Sequence, residues 1–354
     1  MNACDFASLT HRELCDLARK LGNTRMEAIR VLLHGRPRTI HLKLEADNPT
    51  GSVKDRTAWG LLQTLERRGR LQPGSCLVES TSGNLGVALA FLCRLRGYSF
   101  IAVVDPKTTP ENVSRMQALG AEVDMVRQPD EHGGYLLSRL ARIREYCERS
   151  AHYVWPNQYA NAANPLVHRQ MTGPEIYRQM QGKVDAIFLA VSTGGTLAGI
   201  AEYFREVSPR TRIIAVDAYG SVVFGTPAAP RKLTGIGASQ PSRFLRREHY
   251  DEYLLVTDRE AFSVCRSLAA SVQIQVGGSS GAVLAACLRY LEQHSELERV
   301  VCLCPDGGAN YTSSIYQDAW LQENGIELDK IDCFERALSL KGTKDARRFC
   351  VSLA

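Results

Sequence analysis

The sequence predicts an α/β protein built on mostly parallel sheets with helices packed on both faces. Short runs rich in β-branched residues alternate with longer stretches whose apolar residues recur every three or four positions. This alternation is typical of parallel sheets, because each helix carries the chain back to begin the next strand in the same direction. The length of 354 residues is enough for two domains that share a sizeable core.

The predicted elements follow one another regularly along most of the chain. Strands are predicted at residues 39–45, 76–79, 100–104, 123–126, 186–191, 212–217 and 300–304. Helices are predicted at residues 57–67, 85–96, 110–119, 135–146, 196–207 and 282–292. Gly97 and Gly120 stand where two of these helices would end. Residues 220–237 are rich in Gly and Pro and predict a long functional loop, and the tail after Ile326 predicts a terminal helix or a partly ordered extension.

Composition and charge narrow the class of protein. The chain is 44% hydrophobic and 23% charged, which is ordinary for a globular protein. Its formal net charge of +5 is small and its basic residues are scattered, so we expect no nucleic-acid partner. No apolar run approaches the roughly 18 residues that span a bilayer, and the charged N-terminal segment lacks a signal-peptide apolar region. We therefore expect a cytoplasmic protein, with eleven scattered cysteines that act as buried reduced thiols rather than metal ligands.

Two motifs in the first third of the chain lie at predicted strand-to-helix junctions. NPTGSVKDR at residues 48–56 places Lys54 at the start of a helix, where the helix dipole disfavours its ammonium form. That suits a lysine that reacts as a neutral amine, although a plain surface lysine has the same local sequence. ESTSGNLG at residues 79–86 predicts an anion cup of hydroxyls and backbone N–H groups, sized for a carboxylate. An ordinary N-cap with a packing glycine is the alternative.

Two further motifs lie at later junctions of the same kind. STGGTLAG at residues 192–199 combines hydroxyls with glycines that let the backbone approach a phosphate closely. It lacks the Gly-Lys-Ser/Thr of a P-loop and the spacing of a dinucleotide fingerprint, so a single phosphate is the expected guest and a glycine turn without a ligand the alternative. In GGSSG at residues 277–281, a serine either hydrogen-bonds a ring nitrogen or caps the helix that follows.

In this order, the four motifs resemble those of the fold-type II pyridoxal phosphate enzymes, the cysteine synthase and cystathionine β-synthase family. The resemblance covers about residues 20–322 and extends to GNT at 22–24, GA at 120–121, NQYAN at 157–161, TGPEI at 172–176 and GIGA at 235–238. It implies two doubly wound domains, as in the β subunit of tryptophan synthase, with pyridoxal 5'-phosphate in the cleft between them. The smaller domain would comprise residues 41–154, including a mobile closing segment at 106–144. The larger would comprise 1–40 plus 155–328, and residues 329–354 would form an extension without an assigned role.

The resemblance also implies roles for individual residues and a homodimeric assembly. Lys54 would be the Schiff-base lysine and would later shuttle the α-proton, Asn84 would bind the phenolic oxygen, and Ser279 would face the pyridine nitrogen. The phosphate would be held by Ser192, Thr193, Gly194, Gly195 and Thr196. The substrate carboxylate would be bound by Thr81, Ser82, Gly83, Asn84 and Gln158. The implied reaction is loss of the β-substituent of a serine-derived amino acid, followed by attack of a nucleophile.

Four segments narrow the resemblance further: VDPK at 104–107, DEHGGYL at 130–136, DAYGSVVFG at 217–225 and GIGAS at 235–239. They resemble the N-(2-amino-2-carboxyethyl)-L-glutamate synthases of diaminopropionate and siderophore biosynthesis, of which the staphyloferrin B pathway is the familiar case. Those enzymes take O-phospho-L-serine and L-glutamate. Arg139, Tyr159 and Ser192 are candidates to bind the leaving phosphate, and an exposed salt-bridging role is the alternative for Arg139. Two other functions stay open: a cysteine synthase that uses O-acetylserine or O-phosphoserine, and an inactive scaffold or binding homologue.

Overall fold

The computed structural model describes residues 3–81, 83–129 and 134–336. Its strands are β1 Met26–Leu33, β2 Arg36–Leu44, β3 Cys76–Ser80, β4 Ser99–Val104, β5 Glu122–Met125, β6 Tyr153–Val154, β7 Ala186–Ala190, β8 Arg212–Ala218, β9 Glu252–Val256, β10 Val300–Cys304 and β11 Phe334–Arg336. Its α-helices are α1 Ala3–Ala7, α2 His11–Ala18, α3 Lys54–Arg67, α4 Asn84–Arg96, α5 Pro110–Ala118, α6 Leu136–Arg149, α7 Ala163–Val167, α8 Gly173–Gln179, α9 Gly195–Val207, α10 Asp258–Val272, α11 Gly278–Gln293 and α12 Asp318–Glu323. None of these helices is long and apolar enough to cross a bilayer.

The larger sheet has seven strands in the order β11-β1-β2-β10-β7-β8-β9. Strands β2, β10, β7, β8 and β9 are parallel, whereas β1 pairs antiparallel with both β2 and β11. The hairpin between β1 and β2 turns at His34 and Gly35, both with positive φ, as a two-residue hairpin turn requires. Strand β10 is an unbroken apolar run because helices cover both faces of the sheet, and Cys302 and Cys304 are buried in it as expected.

The smaller sheet has four parallel strands in the order β5-β4-β3-β6. Apolar residues of α3 and α4 pack in one cluster with Leu77 and Phe100 of its strands. Leu140 and Ile143 of α6 pack with the alternate strand residues, such as Val78. Because successive strand side chains point to opposite faces, these two clusters cover the two faces of the sheet. The α/β fold with mostly parallel sheets is thus as the sequence predicts.

The N-terminal residues divide between the two sheets. Strand β1 and most of β2 lie in the larger sheet. Helices α1 and α2 instead pack beside α4 and α5, because Phe6 and Leu14 are buried in the cluster that covers the smaller sheet. Arg94 of α4 fixes this contact by donating hydrogen bonds to the carbonyl oxygens of Phe6 at 2.8 Å and Leu9 at 2.7 Å. Residues 1–40 therefore do not all join the larger half, where the sequence placed them, and the other domain boundaries stay a prediction.

Candidate active site

The lysine of the first motif begins helix α3 beside the end of strand β10. Lys54 is the first residue of α3, and the Val53 N–H donates to the carbonyl oxygen of Pro305 at 2.8 Å. Ser52 forms an isolated β-bridge with Asp306, two residues beyond β10. Burial lowers the pKa of Lys54 from its ordinary value to about 8, although the charge of Asp306 opposes this shift. Near pH 7 a minority of the Lys54 side chains, far larger than for an ordinary lysine, is therefore the neutral amine.

Hydrogen bonds to the Asp55 carboxylate fix the turn that precedes Lys54. The carboxylate of Asp55 accepts hydrogen bonds from the Thr50 backbone N–H at 3.1 Å, the Thr50 hydroxyl at 3.0 Å and the Ser52 N–H at 3.3 Å. Gly51 supplies the positive φ of 91° that the turn requires. Burial raises the pKa of Asp55 to about 7 even though these donors favour its charged form.

A buried cluster of charged side chains anchors the first turn of α3. Arg56 pairs with Glu45 at 2.6 Å and with Glu175 at 2.7 Å, and Lys43 also pairs with Glu175 at 3.0 Å. Burial alone would raise the pKa of Glu175, but the hydrogen bonds and charges of Arg56 and Lys43 hold it at about 2. The segment TGPEI therefore contributes an anchor, through Glu175, that joins α8 to the helix carrying Lys54.

The second motif forms the turn between β3 and α4, and Gln158 lies against it. The Gln158 side chain donates to the carbonyl oxygen of Ser80 at 3.0 Å, and its backbone N–H donates to Glu79 at 3.1 Å. Glu79 also accepts from the indole N–H of Trp155 at 3.1 Å, and burial raises the pKa of Glu79 to about 7. The predicted carboxylate-binding residues Thr81, Gly83, Asn84 and Gln158 are thereby brought to one turn, whereas Ser82 lies outside the described residues.

Glycines of the third motif form a narrow turn between β7 and α9. Gly194 has a positive φ of 86°, and a Cβ there would overlap Ser242 Oγ, which itself donates to the Thr193 carbonyl oxygen at 2.6 Å. A Cβ on Gly195 would overlap the side chain of Asn164 from α7. The Asn164 amide donates to the Gln158 carbonyl oxygen at 2.8 Å, which ties this turn to the β3–α4 turn.

A buried histidine lies beneath the same turn. His168, in a π-helical turn at His168–Thr172, contacts the hydroxyls of Thr57 at 3.1 Å and Thr196 at 3.3 Å. Burial and then the charges of Arg56 and Lys54 hold its pKa well below the ordinary value, so the imidazole is neutral. Thr57 lies on the helix that begins at Lys54, so His168 connects that helix to the start of α9.

The serine of the fourth motif lies in the first turn of α11. Ser279 is buried at the second position of this helix, and a Cβ on Gly235 would be 3.9 Å from its hydroxyl oxygen. The long loop between β8 and β9 therefore reaches Ser279. Next to it, the Ser280 hydroxyl donates to the carbonyl oxygen of Asp306 at 3.3 Å, and Asp306 accepts from the Asn84 amide at 2.7 Å. Hydrogen bonds thus connect the fourth motif to the second.

The residues predicted to bind a leaving phosphate are Arg139, Tyr159 and Ser192, and their surroundings differ from one another. Arg139 is 8% exposed and forms an ion pair with Asp105 at 3.4 Å, so the salt bridge of the alternative interpretation is present but buried rather than exposed. Burial raises the pKa of half-buried Tyr159, and the positive charge of Arg139 opposes the shift, which indicates that the two side chains are near each other. Ser192 lies between the end of β7 at Ala190 and the glycine turn. Residues 130–133 of the DEHGGYL segment lie outside the described residues.

These donors suit one phosphate, one phenolic oxygen and one ring nitrogen. A glycine turn that leaves no room for side chains precedes the 13-residue helix α9, whose N-terminus favours an anion. Lys54 with its lowered pKa, the amide of Asn84 and the buried Ser279 complete the set. The model of the family described as pyridoxal-phosphate dependent enzymes matches residues 17–306. The chain belongs to this family.

Relatives of this pyridoxal-phosphate dependent enzyme have specific names. The chain is 42% identical over 301 residues to the N-(2-amino-2-carboxyethyl)-L-glutamate synthase of Ralstonia nicotianae, covering 85% of this chain and 89% of the relative. It is 41% identical over 305 residues to the protein of that name from Cupriavidus metallidurans, with the same coverage. Among solved structures, O-acetyl serine sulfhydrylase isoform 3 of Entamoeba histolytica has a TM-score of 0.78 and 28% identity, covering 85% of this chain and 90% of that one. The predicted family, cofactor and enzyme class are confirmed.

Proposed function

We propose that this enzyme replaces the phosphate of O-phospho-L-serine with the amino group of L-glutamate. The products would be N-(2-amino-2-carboxyethyl)-L-glutamate and phosphate, as a step toward L-2,3-diaminopropionate and a siderophore. The observation that carries the proposal is the identity of 42% to a synthase of that name over most of both chains. A cytoplasmic homodimer is part of the proposal.

The four motifs would divide the work of binding and proton transfer. Bound pyridoxal phosphate supplies an electron sink that acidifies the α-carbon of the amino-acid substrate. Residues 192–196 would hold its phosphate, and Asn84 would donate to its phenolic oxygen. Residues 81–84 and Gln158 would bind the substrate carboxylate and so orient the α-proton toward Lys54 Nζ. With a pKa of about 8, the Lys54 amine is available to remove that proton.

Ser279 would favour loss of the β-substituent over competing reactions. A serine hydroxyl is a weak acid, so it would hydrogen-bond a pyridine nitrogen without protonating it. Less of the negative charge left by removal of the α-proton would then be delocalised into the ring. Expulsion of the β-substituent would therefore compete well against transamination. The burial of Ser279 supports this role, because no bulk water competes for its hydrogen bond.

Arg139 and Tyr159 would receive the departing phosphate, together with Ser192. Support comes from the burial of Arg139, a cation whose Nε forms the ion pair with Asp105 Oδ2 at 3.4 Å. Asp105 would keep the guanidinium in place without using all its donors. Charge-assisted hydrogen bonds to phosphate are worth about 1.5–3 kcal/mol each, enough for roughly a tenfold preference over a neutral leaving group.

An experiment on Arg139 tests the choice of donor substrate. Arg139→Ala should reduce turnover of O-phospho-L-serine by about tenfold or more and that of O-acetyl-L-serine much less. Arg142→Ala, one turn along α6 at a more exposed arginine, is the matched control and should affect neither. Equal losses with both donors would make Arg139 a structural residue.

A cysteine synthase is the second candidate function, favoured by the likeness to an O-acetyl serine sulfhydrylase. Such an enzyme would use sulfide in place of glutamate. The inactive homologue has less support, because Lys54, Asn84 and Ser279 are intact and Lys54 has a lowered pKa.

A further inference from the structure

A buried carboxylate, Asp306, lies between the second and fourth motifs. It is 2% exposed, and its Oδ2 accepts hydrogen bonds from Asn84 Nδ2 at 2.7 Å and from the Tyr311 hydroxyl at 2.8 Å. Its Oδ1 has no hydrogen-bond partner among the described residues and lies against Gly277, where a Cβ would overlap it. A buried charge held this way is costly, which makes its contacts informative.

The hydrogen bonds around Asn84 fix which way its amide faces. A carboxylate only accepts, so the group of Asn84 that faces Asp306 must be the NH₂ group. The opposite end agrees, because Asn84 Oδ1 accepts from Asn310 Nδ2 at 3.2 Å. Arg115 donates to Asn310 Oδ1 at 2.8 Å, which fixes the Asn310 amide in turn. Asn84 therefore has one N–H engaged by Asp306 and a second N–H left to donate.

We propose that Asp306 is a positioning residue that holds the Asn84 amide so that its second N–H is presented to the phenolic oxygen of pyridoxal phosphate. The inference rests on the proposed contact between Asn84 and that oxygen, and not on the choice of substrates. Without Asp306, a half-turn of the amide would direct the Asn84 carbonyl oxygen at another oxygen, which is repulsive. Tyr311 supports Asp306, because burial and the charge of Asp306 raise the pKa of Tyr311 well above its ordinary value and keep it a donor.

The negative charge of Asp306 also acts on Lys54. Asp306, Lys54 and Arg115 are the charged groups that act on one another here, and the negative charge of Asp306 favours the ammonium form of Lys54. When Lys54 takes a proton from substrate, this charge stabilises the product of that step. Asp306→Asn alters both effects, because it removes the charge and lets an NH₂ group face Asn84, and the comparison with Asn84→Ala tells them apart.

A double-mutant cycle on the resting holoenzyme tests the proposal. Asp306→Asn should raise the dissociation constant of pyridoxal phosphate by about tenfold, as loss of a hydrogen bond to a charged group predicts, and should shift the visible absorbance of the bound cofactor. Asn84→Ala should have a similar effect, and Asp306→Asn should add little to it because both act through one amide. Tyr311→Phe removes the other donor to the same oxygen and should change the constant by less than about threefold.

Three results would overturn the proposal: an unchanged spectrum and affinity in Asp306→Asn, effects of Asp306→Asn and Asn84→Ala that multiply fully, or an equally large effect of Tyr311→Phe. Thermal unfolding of each apoprotein checks that the fold persists, and Asp306→Ala replaces Asp306→Asn in the cycle if the latter is unfolded. No substrate is present in these measurements, so they succeed or fail independently of the proposed β-replacement.

Discussion

Arg56 and Glu175 are 119 residues apart in the sequence, yet two parallel hydrogen bonds of 2.7 Å join the guanidinium to the carboxylate. Both side chains of this bidentate pair are buried, and Arg56 lies two residues after Lys54 in the sequence. The helix that begins at Lys54 is therefore anchored to α8, and hydrogen bonds to Asp55 fix the turn before it. These contacts on both sides fix the backbone at Lys54.

Arg56→Ala should lower the free energy of unfolding by about 3–5 kcal/mol, because it leaves Glu45 and Glu175 buried without their cation. Arg169→Ala is the control, since Arg169 and Glu206 form an exposed pair worth about 1 kcal/mol or less. Urea unfolding of both variants measures the difference. A loss below about 1 kcal/mol for Arg56→Ala would contradict the anchoring role.

Acid should weaken this anchor in a defined pH range. The pKa of Glu175 is about 2 in the folded protein and about 4.5 ordinarily, so its stabilising contribution is complete above pH 4.5 and is lost as pH falls toward 2. The stability difference between the wild type and Glu175→Gln should therefore shrink between pH 5 and pH 3. A difference that stays constant across this range would show that Glu175 has an ordinary pKa.

The reactivity of Lys54 should follow a low pKa. Because burial lowers its pKa to about 8, the apoprotein should combine with added pyridoxal phosphate faster as pH rises, with a midpoint near 8 rather than above 10. Stopped-flow absorbance at several pH values gives the midpoint, and Lys54→Ala controls for non-specific reaction at other amines. A rate that continues to climb through pH 10 would mean that Lys54 is solvated like a free lysine.

Gly195→Ala should weaken cofactor binding, because the added methyl group overlaps Asn164 at the turn proposed to hold the phosphate. Overpacking of this kind typically costs about 1–3 kcal/mol, which corresponds to a rise of about five- to 150-fold in the dissociation constant. Gly69→Ala, at an open position just beyond the end of α3, carries only backbone strain and should leave affinity unchanged. Equal affinity in the two variants would place the phosphate elsewhere.

Much of the sheet framework could be predicted because short runs rich in β-branched residues mark most of the strands. The predicted strand at residues 300–304 matches β10, and five others overlap β3, β4, β5, β7 and β8 closely. Helix α10 was missed, although Thr257 and Glu260 form a capping box that is readable in the sequence. Strand β1 was missed although buried Ile29 and Val31 alternate with the partly exposed Arg30, a period of two that is typical of a half-buried strand.

The supporting residues of the site could not be predicted in the same way. Asp306 is 222 residues from Asn84, and Asn164 and Ser242 reach the glycine turn only once the sheets have formed. Glu79 left one readable signal, a carboxylate inside an apolar strand. The surroundings of Arg139 depend on Asp105, which tertiary packing brings beside it.

The most direct test of the proposed function lets two nucleophiles compete for one donor. The holoenzyme would be incubated with O-phospho-L-serine and equal concentrations of L-glutamate and sulfide, and the products identified by mass spectrometry. The proposal predicts N-(2-amino-2-carboxyethyl)-L-glutamate with one phosphate released per molecule, and no product with Lys54→Ala. Efficient formation of cysteine with no glutamate adduct would contradict it and identify a cysteine synthase.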